Sequence, residues 1–215
     1  MKMTWKELQE TCLRKMDSLD GANLVKDSNT TAYINAMPAA ANEAMHILAT
    51  VGRYWKKCLT IEQGWNEIAQ GGELLGGFIA YDLGQMVDDF YCLDRINLLA
   101  GNDYGTLTGY RMEGDSILLI PADATGSIRI WYHAYPPKIT AATAADFEIG
   151  LPPEAANMIA LYMAGQLYKH DDISIAQIWM NEFTAWLEEL KISAARANGK
   201  NAASGGGWTS KKGYY

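Results

Sequence analysis

The stretch that decides the fold begins Leu151-Pro152-Pro153-Glu154-Ala155-Ala156-Asn157-Met158-Ile159-Ala160-Leu161-Tyr162-Met163 and continues to Leu190. Proline at the first helical position and glutamate in the first turn are typical of a helix start. From Ala155 to Leu167 the segment is apolar on nearly all sides. Because a helix that is apolar all round is usually buried all round, we predict that this is the central helix of the fold.

A second helix is predicted after Lys169-His170-Asp171-Asp172, where Asp171 or Asp172 is placed to cap it. Ser174 with Gln177 offers an alternative capping box. Large apolar residues then recur at spacings of three and four, namely Ile175, Trp179, Phe183, Trp186, Leu187 and Leu190. The short turn predicts an antiparallel hairpin of helices over 153–169 and 173–192, with Trp186 buried in its core.

Composition is that of a globular protein. The chain has 215 residues, of which 49% are hydrophobic and 20% charged, and its formal net charge is −7. The negative charge argues against nucleic-acid binding through a broad basic surface. No apolar run approaches the roughly 20 residues that span a bilayer, and the charged helical pattern after Met1 is unlike a signal peptide. Cys12, Cys58 and Cys92 lack CxxC spacing and are predicted to be free thiols in a reducing compartment.

Helical patterns also occupy the start of the chain. Thr4 and Glu7 have the form of a capping box at the head of a first helix. A second helical region runs from Thr31 to Val51 and contains Pro38, which predicts that it is kinked or split. We assign residues 1–57 to the N-terminal helices of a bundle that the hairpin, within 140–197, completes.

Between these helical regions the pattern changes to short strands. Ser116–Ile120 is apolar and ends at Pro121, and residues 127–133 alternate as a half-buried strand does. The glycine pairs Gly71-Gly72 and Gly76-Gly77 predict turns rather than a phosphate loop, because the P-loop lysine is missing. The predicted fold class is therefore α+β, a helical bundle with a small antiparallel sheet or sandwich inserted over residues 58–139.

The end of the chain, residues 198–215, is predicted to be a flexible arm. Its glycine- and asparagine-rich start cannot bury a core, yet it ends with three aromatic residues and two lysines. A disordered tail is one interpretation. The other is an arm that binds a partner through Trp208, Lys211, Lys212, Tyr214 and Tyr215.

Candidate catalytic or metal-binding residues do not form a recognisable set. His46, His133 and His170 lie far apart in sequence and in different predicted elements, so we predict no metal site and no cofactor. A cluster of Asp82, Asp88, Asp89 and Asp94 would suit glycoside hydrolysis, but acidic residues at strand edges are usually only solvated. The sequence therefore favours a protein that is not an enzyme.

Several segments together resemble the head–tail connector (adaptor) proteins of tailed bacteriophages. The N-terminal pieces are Thr4–Leu8 and Tyr33–Ala44, and the later ones are Tyr132, Tyr135–Thr140, Leu151–Ala155, Leu167–Asp172 and Asn181–Phe183. They fall within residues 4–62 and 127–190, and the central region 63–126 matches less well. The order and spacing of the pieces are the specific feature, because none of them performs chemistry.

The resemblance implies a structural virion protein made in the host cytoplasm. Such connectors form a ring, typically of roughly twelve copies, beneath the portal protein at the capsid neck, and they join a tail or second neck protein. They extend the DNA channel without sequence-specific binding, for which an acidic wall is suitable. Their C-terminal arm often docks on the portal. No membrane partner is implied.

Alternatives remain open at this stage. One alternative is a tail-side completion protein, which would also be a structural virion protein. A small carbohydrate-active hydrolase, using the acidic residues near Asp88, and a β-sandwich ligand-binding module supported by helices belong to other classes.

Overall fold

The computed structural model describes residues 2–20, 23–24, 28–64, 71–100 and 103–204. The helices are α1 (Trp5–Lys15), α2 (Ser28–Gly52), α3 (Leu83–Met86), α4 (Pro153–Leu167) and α5 (Ile173–Ser204), with a 3-10 turn at Tyr168–His170. The strands are β1 (Leu19–Asp20), β2 (Asn23–Leu24), β3 (Lys56–Gln63), β4 (Gly72–Leu75), β5 (Phe78–Asp82), β6 (Phe90–Ala100), β7 (Asp103–Thr106), β8 (Arg111–Glu113), β9 (Ile117–Pro121) and β10 (Gly126–Ala134).

The chain divides into two compact units. A helical unit comprises residues 1–52 and 138–215, and a β unit comprises residues 53–137. All the strands of the β unit pair in antiparallel fashion. The α+β class, with a β-rich region inserted between helices, is confirmed.

Helix α4 lies at the centre of the helical unit, as predicted. It packs against α1, α2 and α5, and its buried residues include Met158, Ile159, Met163 and Leu167. Helix α1 contributes apolar side chains such as Leu8, and α2 contributes others such as Met45. The apolar surface of α4 is therefore covered from three sides, which explains why this helix needs no polar face.

The helix ends are capped largely as the sequence predicts. Thr4 and Glu7 form a complete capping box at the start of α1. Asp172, rather than the alternative pair Ser174 and Gln177, caps α5, because its Oδ1 accepts hydrogen bonds from the backbone N–H groups of Ser174 and Ile175 at 2.8 and 3.2 Å. These caps fix where the hairpin turns.

Close contact between α4 and α5 depends on a glycine. A Cβ atom at Gly165 would lie 2.7 Å from Cγ of Met180, so only glycine lets the two helices approach this closely without displacing that side chain. Nearby, Phe183 is buried and packs edge-on against Tyr162, with ring centroids 5.1 Å apart. The hairpin is thus sealed by Phe183.

The prediction that Trp186 is buried in this core is wrong. Its residue surface is 46% exposed. Trp186 follows Phe183 by three residues, which turns it about 60° around the helix and beyond the part of α5 that α4 covers. The spacing correctly placed Trp186 next to the apolar stripe of α5, but the residue lies on an edge of that stripe that α4 does not cover.

Two helix boundaries differ from the sequence analysis. Helix α2 begins at Ser28 rather than Thr31 and continues through Pro38, so of the two alternatives, kinked or split, the split is wrong. Helix α5 continues through residues 198–204, which the sequence analysis assigned to the arm. The rest of the arm, residues 205–215, lies outside the described residues.

The β unit has two four-stranded sheets with strand orders β3-β10-β6-β7 and β4-β5-β9-β8. One sheet contributes Ile61, Ile96, Ile128 and Ile130 to a shared hydrophobic core, and the other contributes Ile79, Tyr81, Leu118 and Ile120. The buried Tyr81 donates its hydroxyl hydrogen to Oε1 of Gln63 at 3.2 Å, so its polar end is satisfied inside the core. The alternating pattern of residues 127–133 matches β10, whose Ile128 and Ile130 face this core.

Candidate interaction surfaces

A pocket of about 370 Å³ opens in the helical unit between α2 and the end of α4. Its floor is made largely of alanines on α2, among them Ala32, Ala36, Ala39 and Ala40. Alanine side chains leave room that larger residues would fill. This volume falls within the range of ligand pockets, about 300–1,000 Å³.

Two carboxylates lie among the residues that line this pocket. Glu43 accepts a hydrogen bond from the Tyr162 hydroxyl at 3.0 Å, and Asp171 accepts one from the Tyr33 hydroxyl. Both tyrosines keep the carboxylates in place without neutralising their charge. Burial, together with nearby Glu43, raises the pKa of Tyr162, so this phenol remains a neutral donor.

The surroundings of the 3-10 turn are also acidic. Burial raises the pKa of Tyr168, and the negative charges of Asp17, Asp171 and Asp172 raise it further. The Tyr168 hydroxyl donates to the backbone oxygen of Met16 at 2.6 Å, which ties this end of the hairpin to α1. With Glu43 and Asp171 in its lining, the pocket combines an apolar floor with negative charge.

Helix α5 exposes a second apolar surface. Ile178 is 60% exposed and Ile192 is 52% exposed. Together with the exposed Ala185 between them, they are spaced seven residues apart and lie on the side of the helix nearly opposite Phe183. Trp186, on the edge of the buried stripe, adds an exposed aromatic ring. Exposed large apolar side chains on one helix are a feature of surfaces that pack against another protein.

The β unit exposes aromatic and cationic side chains. Arg95 stacks over Trp131 and Arg129 over Tyr104, at 5.1 and 4.2 Å from the ring centroids. On the other sheet, Leu74 and Leu75 of the edge strand β4 are exposed. Both are features of contact surfaces rather than of catalytic sites.

The structure does not bring the predicted acidic cluster together as a reactive pair. Asp82 caps α3 through the Gly84 N–H and accepts a hydrogen bond from Ser116, interactions that lower its pKa. Asp89 pairs with Lys57 and accepts from the Tyr132 hydroxyl, while Asp94 pairs with Lys56 at 2.5 Å. Three of the four carboxylates thus have structural partners of their own, which argues against the glycosidase alternative.

The three histidines occupy separate elements. His46 lies on α2, His170 in the 3-10 turn beside the pocket, and His133 on β10. His133 is buried, with Nε2 3.5 Å from Oδ1 of Asp94, and its Nδ1 lacks a hydrogen-bond partner among the described residues. Burial lowers the pKa of His133, because the charged imidazolium would be poorly solvated there.

The cysteines are free thiols in distinct surroundings. Cys12 is buried, and burial raises the pKa of its thiol to about 12. Cys58 is exposed and Cys92 half-buried. Within the described ranges, no group of three or more histidine, cysteine or acidic side chains is arranged to hold a metal ion. None of the helices searched there is long and apolar enough to cross a membrane.

The predicted arm residues Trp208, Lys211, Lys212, Tyr214 and Tyr215 lie outside the described residues. The alanine-floored pocket, by contrast, was missed by the sequence analysis. Its signal was present, because Ala32, Ala36 and Ala39 recur at spacings of four and three on α2.

Comparison with known proteins identifies the family. Residues 3–205 match the family described as SU10 adaptor protein. A search of curated proteins finds no match. Because the family match spans nearly the whole chain, the predicted resemblance to connectors is confirmed. The chain belongs to the SU10 adaptor protein family of phage head–tail adaptors and is a structural component of the virion.

Proposed function

We propose that this adaptor is a subunit of a closed ring that lies beneath the portal, extends the DNA channel and joins the head to the tail. The observation that carries the proposal is that α5 leaves large apolar side chains exposed in the single chain, namely Ile178, Ile192 and Trp186. In a ring of identical subunits, each copy covers such a surface on its neighbour.

Charge supports the channel role. At a net charge of −7, repulsion between the protein and DNA phosphates lets the duplex slide past without binding tightly. Sequence-specific recognition is not part of the proposed function. The role is mechanical, and no catalytic step is assigned to it.

The C-terminal arm belongs to the same proposal. Trp208, Tyr214 and Tyr215 are aromatic anchors, and Lys211 with Lys212 gives the arm a positive segment on an acidic protein. We assign to the arm the role of holding one subunit to another protein of the particle. Its partner is either the portal, which the connector resemblance implies, or a neighbouring copy of this chain.

A complementation experiment separates this function from that of a tail-side completion protein. Particles made without the adaptor provide DNA-filled heads and free tails, which are purified separately. Adaptor protein added to the heads should bind them and restore tail attachment. Tails that have been incubated with the adaptor, and then freed of unbound protein, should still fail to attach to untreated heads. Binding to tails alone would overturn the connector role in favour of the tail-side alternative.

A further inference from the structure

Resting on the proposed ring, we propose that the alanine-floored pocket of the helical unit is the receptor for the C-terminal arm of a neighbouring copy. The aromatic ring of Trp208 would enter the pocket, and Lys211 and Lys212 would face Glu43 and Asp171. Each subunit then gives one arm and receives one.

Shape and charge both fit this occupant. The pocket holds about 370 Å³ over a floor that includes Ala32 and Ala36, which suits a flat ring. Its carboxylates, Glu43 and Asp171, are kept in place by the hydroxyls of Tyr162 and Tyr33. An apolar anchor followed by a cationic pair matches an apolar floor bordered by negative charge.

Reach excludes the subunit's own arm. Helix α5 begins at Ile173, beside the pocket residue Asp171, and its 32 residues extend about 48 Å away from it. Trp208 follows Ser204 by only four residues, which span at most about 14 Å when fully extended. Even all of residues 205–215 would cover only about 40 Å. The occupant must therefore come from another copy.

This contact joins two different surfaces and is therefore head-to-tail. Contacts of that kind generate rings when the rotation closes and filaments when it does not. In a closed ring all the pockets are filled, whereas an open chain leaves one pocket empty and one arm unbound. The arm exchange thus favours closure.

Disulfide trapping between full-length copies tests the inference. In every chain Cys58 and Cys92 are replaced by serine, leaving the buried Cys12. One copy bears Ala32→Cys at the pocket and a differently tagged copy bears Thr209→Cys beside Trp208. The mixture, oxidised under assembly conditions, should give a disulfide between the two copies, because the two sulfur atoms would lie within bonding range.

Two controls make the result specific. Ala144→Cys, an exposed alanine before α4 and outside the pocket lining, replaces Ala32→Cys and should lower the yield at least about tenfold. Trp208→Ala, or Lys211→Glu with Lys212→Glu, on the arm-bearing copy should lower it similarly. Adding Asp171→Lys to the pocket copy should partly restore trapping by the glutamate-bearing arm, since the charges are again opposite.

The outcomes separate this inference from the ring itself. Rings that form without Ala32–Thr209 trapping would overturn the arm exchange and leave the ring intact. A disulfide within one chain carrying both cysteines would place the arm in its own pocket and also contradict the inference. A protein that stays monomeric and gives no trapping would overturn both proposals.

Discussion

At the scale of single residues, the positions of charged groups depend on contacts that are distant in sequence. Asp82, Asp89 and Asp94 lie close together along the chain, yet their partners are Ser116, Lys57 and Lys56 respectively. Strand pairing, which a local pattern does not specify, supplied these partners. The caps at Thr4 and Asp172 were predictable, because capping involves residues only two or three positions away.

His133 makes the stability of the β unit depend on pH. Burial, with the nearby cations Arg53 and Lys56, lowers its pKa more than the Asp94 carboxylate and an Arg53 backbone contact raise it. The unfolded chain, whose histidine has a pKa of about 6.5, then binds the proton first as the pH falls. Stability attributable to this group is therefore complete above about pH 7 and is lost as the pH drops toward the folded-state pKa.

The variant His133→Gln tests that sign. Between about pH 7.5 and 5.5 its melting temperature should fall less than that of the unchanged protein, because glutamine takes up no proton. His46→Gln, at an exposed site of α2 in the helical unit, is the control for the removal of a histidine outside the β unit. If the melting temperatures of His133→Gln and of the unchanged protein fall by the same amount across this range, the assignment of the pH dependence to His133 is contradicted.

At the scale of elements, helices were more predictable than the sheets. The apolar surface of α4 indicated burial on nearly all sides, and from Ala155 to Leu167 every residue is buried except Asn157 and Gln166. Helical spacing also predicted the buried Phe183 correctly, but it misplaced Trp186. Spacing gives the direction of a side chain around the helix axis, and it does not tell how much of the α5 surface α4 covers. The strand over residues 127–133 was predicted, whereas its pairing with β3 joins residues too distant in sequence for local rules.

Phe183 and Trp186, two of the aromatic residues of α5, should separate stability from assembly. Phe183→Ala, which empties a buried site against Tyr162, should lower the free energy of unfolding by about 3–5 kcal/mol. Trp186→Ala should cost less than about 1 kcal/mol, as expected of an exposed position, while weakening association between subunits. Denaturant unfolding and sedimentation measure the two effects. Equal losses of stability would mean that Trp186 is covered within the single subunit.

At the scale of the whole molecule, the proposed function depends on surfaces that contact other chains. The order and spacing of helical segments indicated the adaptor family, which the match over residues 3–205 confirms. Neither the pocket nor the exposed side of α5 was predicted, because both depend on how far neighbouring helices extend over each other. Surfaces that are completed by another subunit leave only a weak pattern in one sequence.

Removal of residues 205–215 should affect assembly and not folding. The core described above is made of residues that precede this segment, so the melting temperature of the isolated subunit should be almost unchanged. Its attachment to the particle should weaken, because the aromatic anchors are lost. Thermal melting and co-sedimentation with particles provide the two readings. A truncated subunit that joins the particle as well as the full chain does would remove the arm from the account.

Native mass spectrometry of the full-length protein, alone and with the portal protein, tests the central claim most directly, with negative-stain images of the same samples. The account predicts a closed ring with one discrete mass, roughly twelve copies by the connector resemblance, seated on the portal. A chain that remains monomeric over a wide concentration range, and stays so when the portal is present, would contradict it.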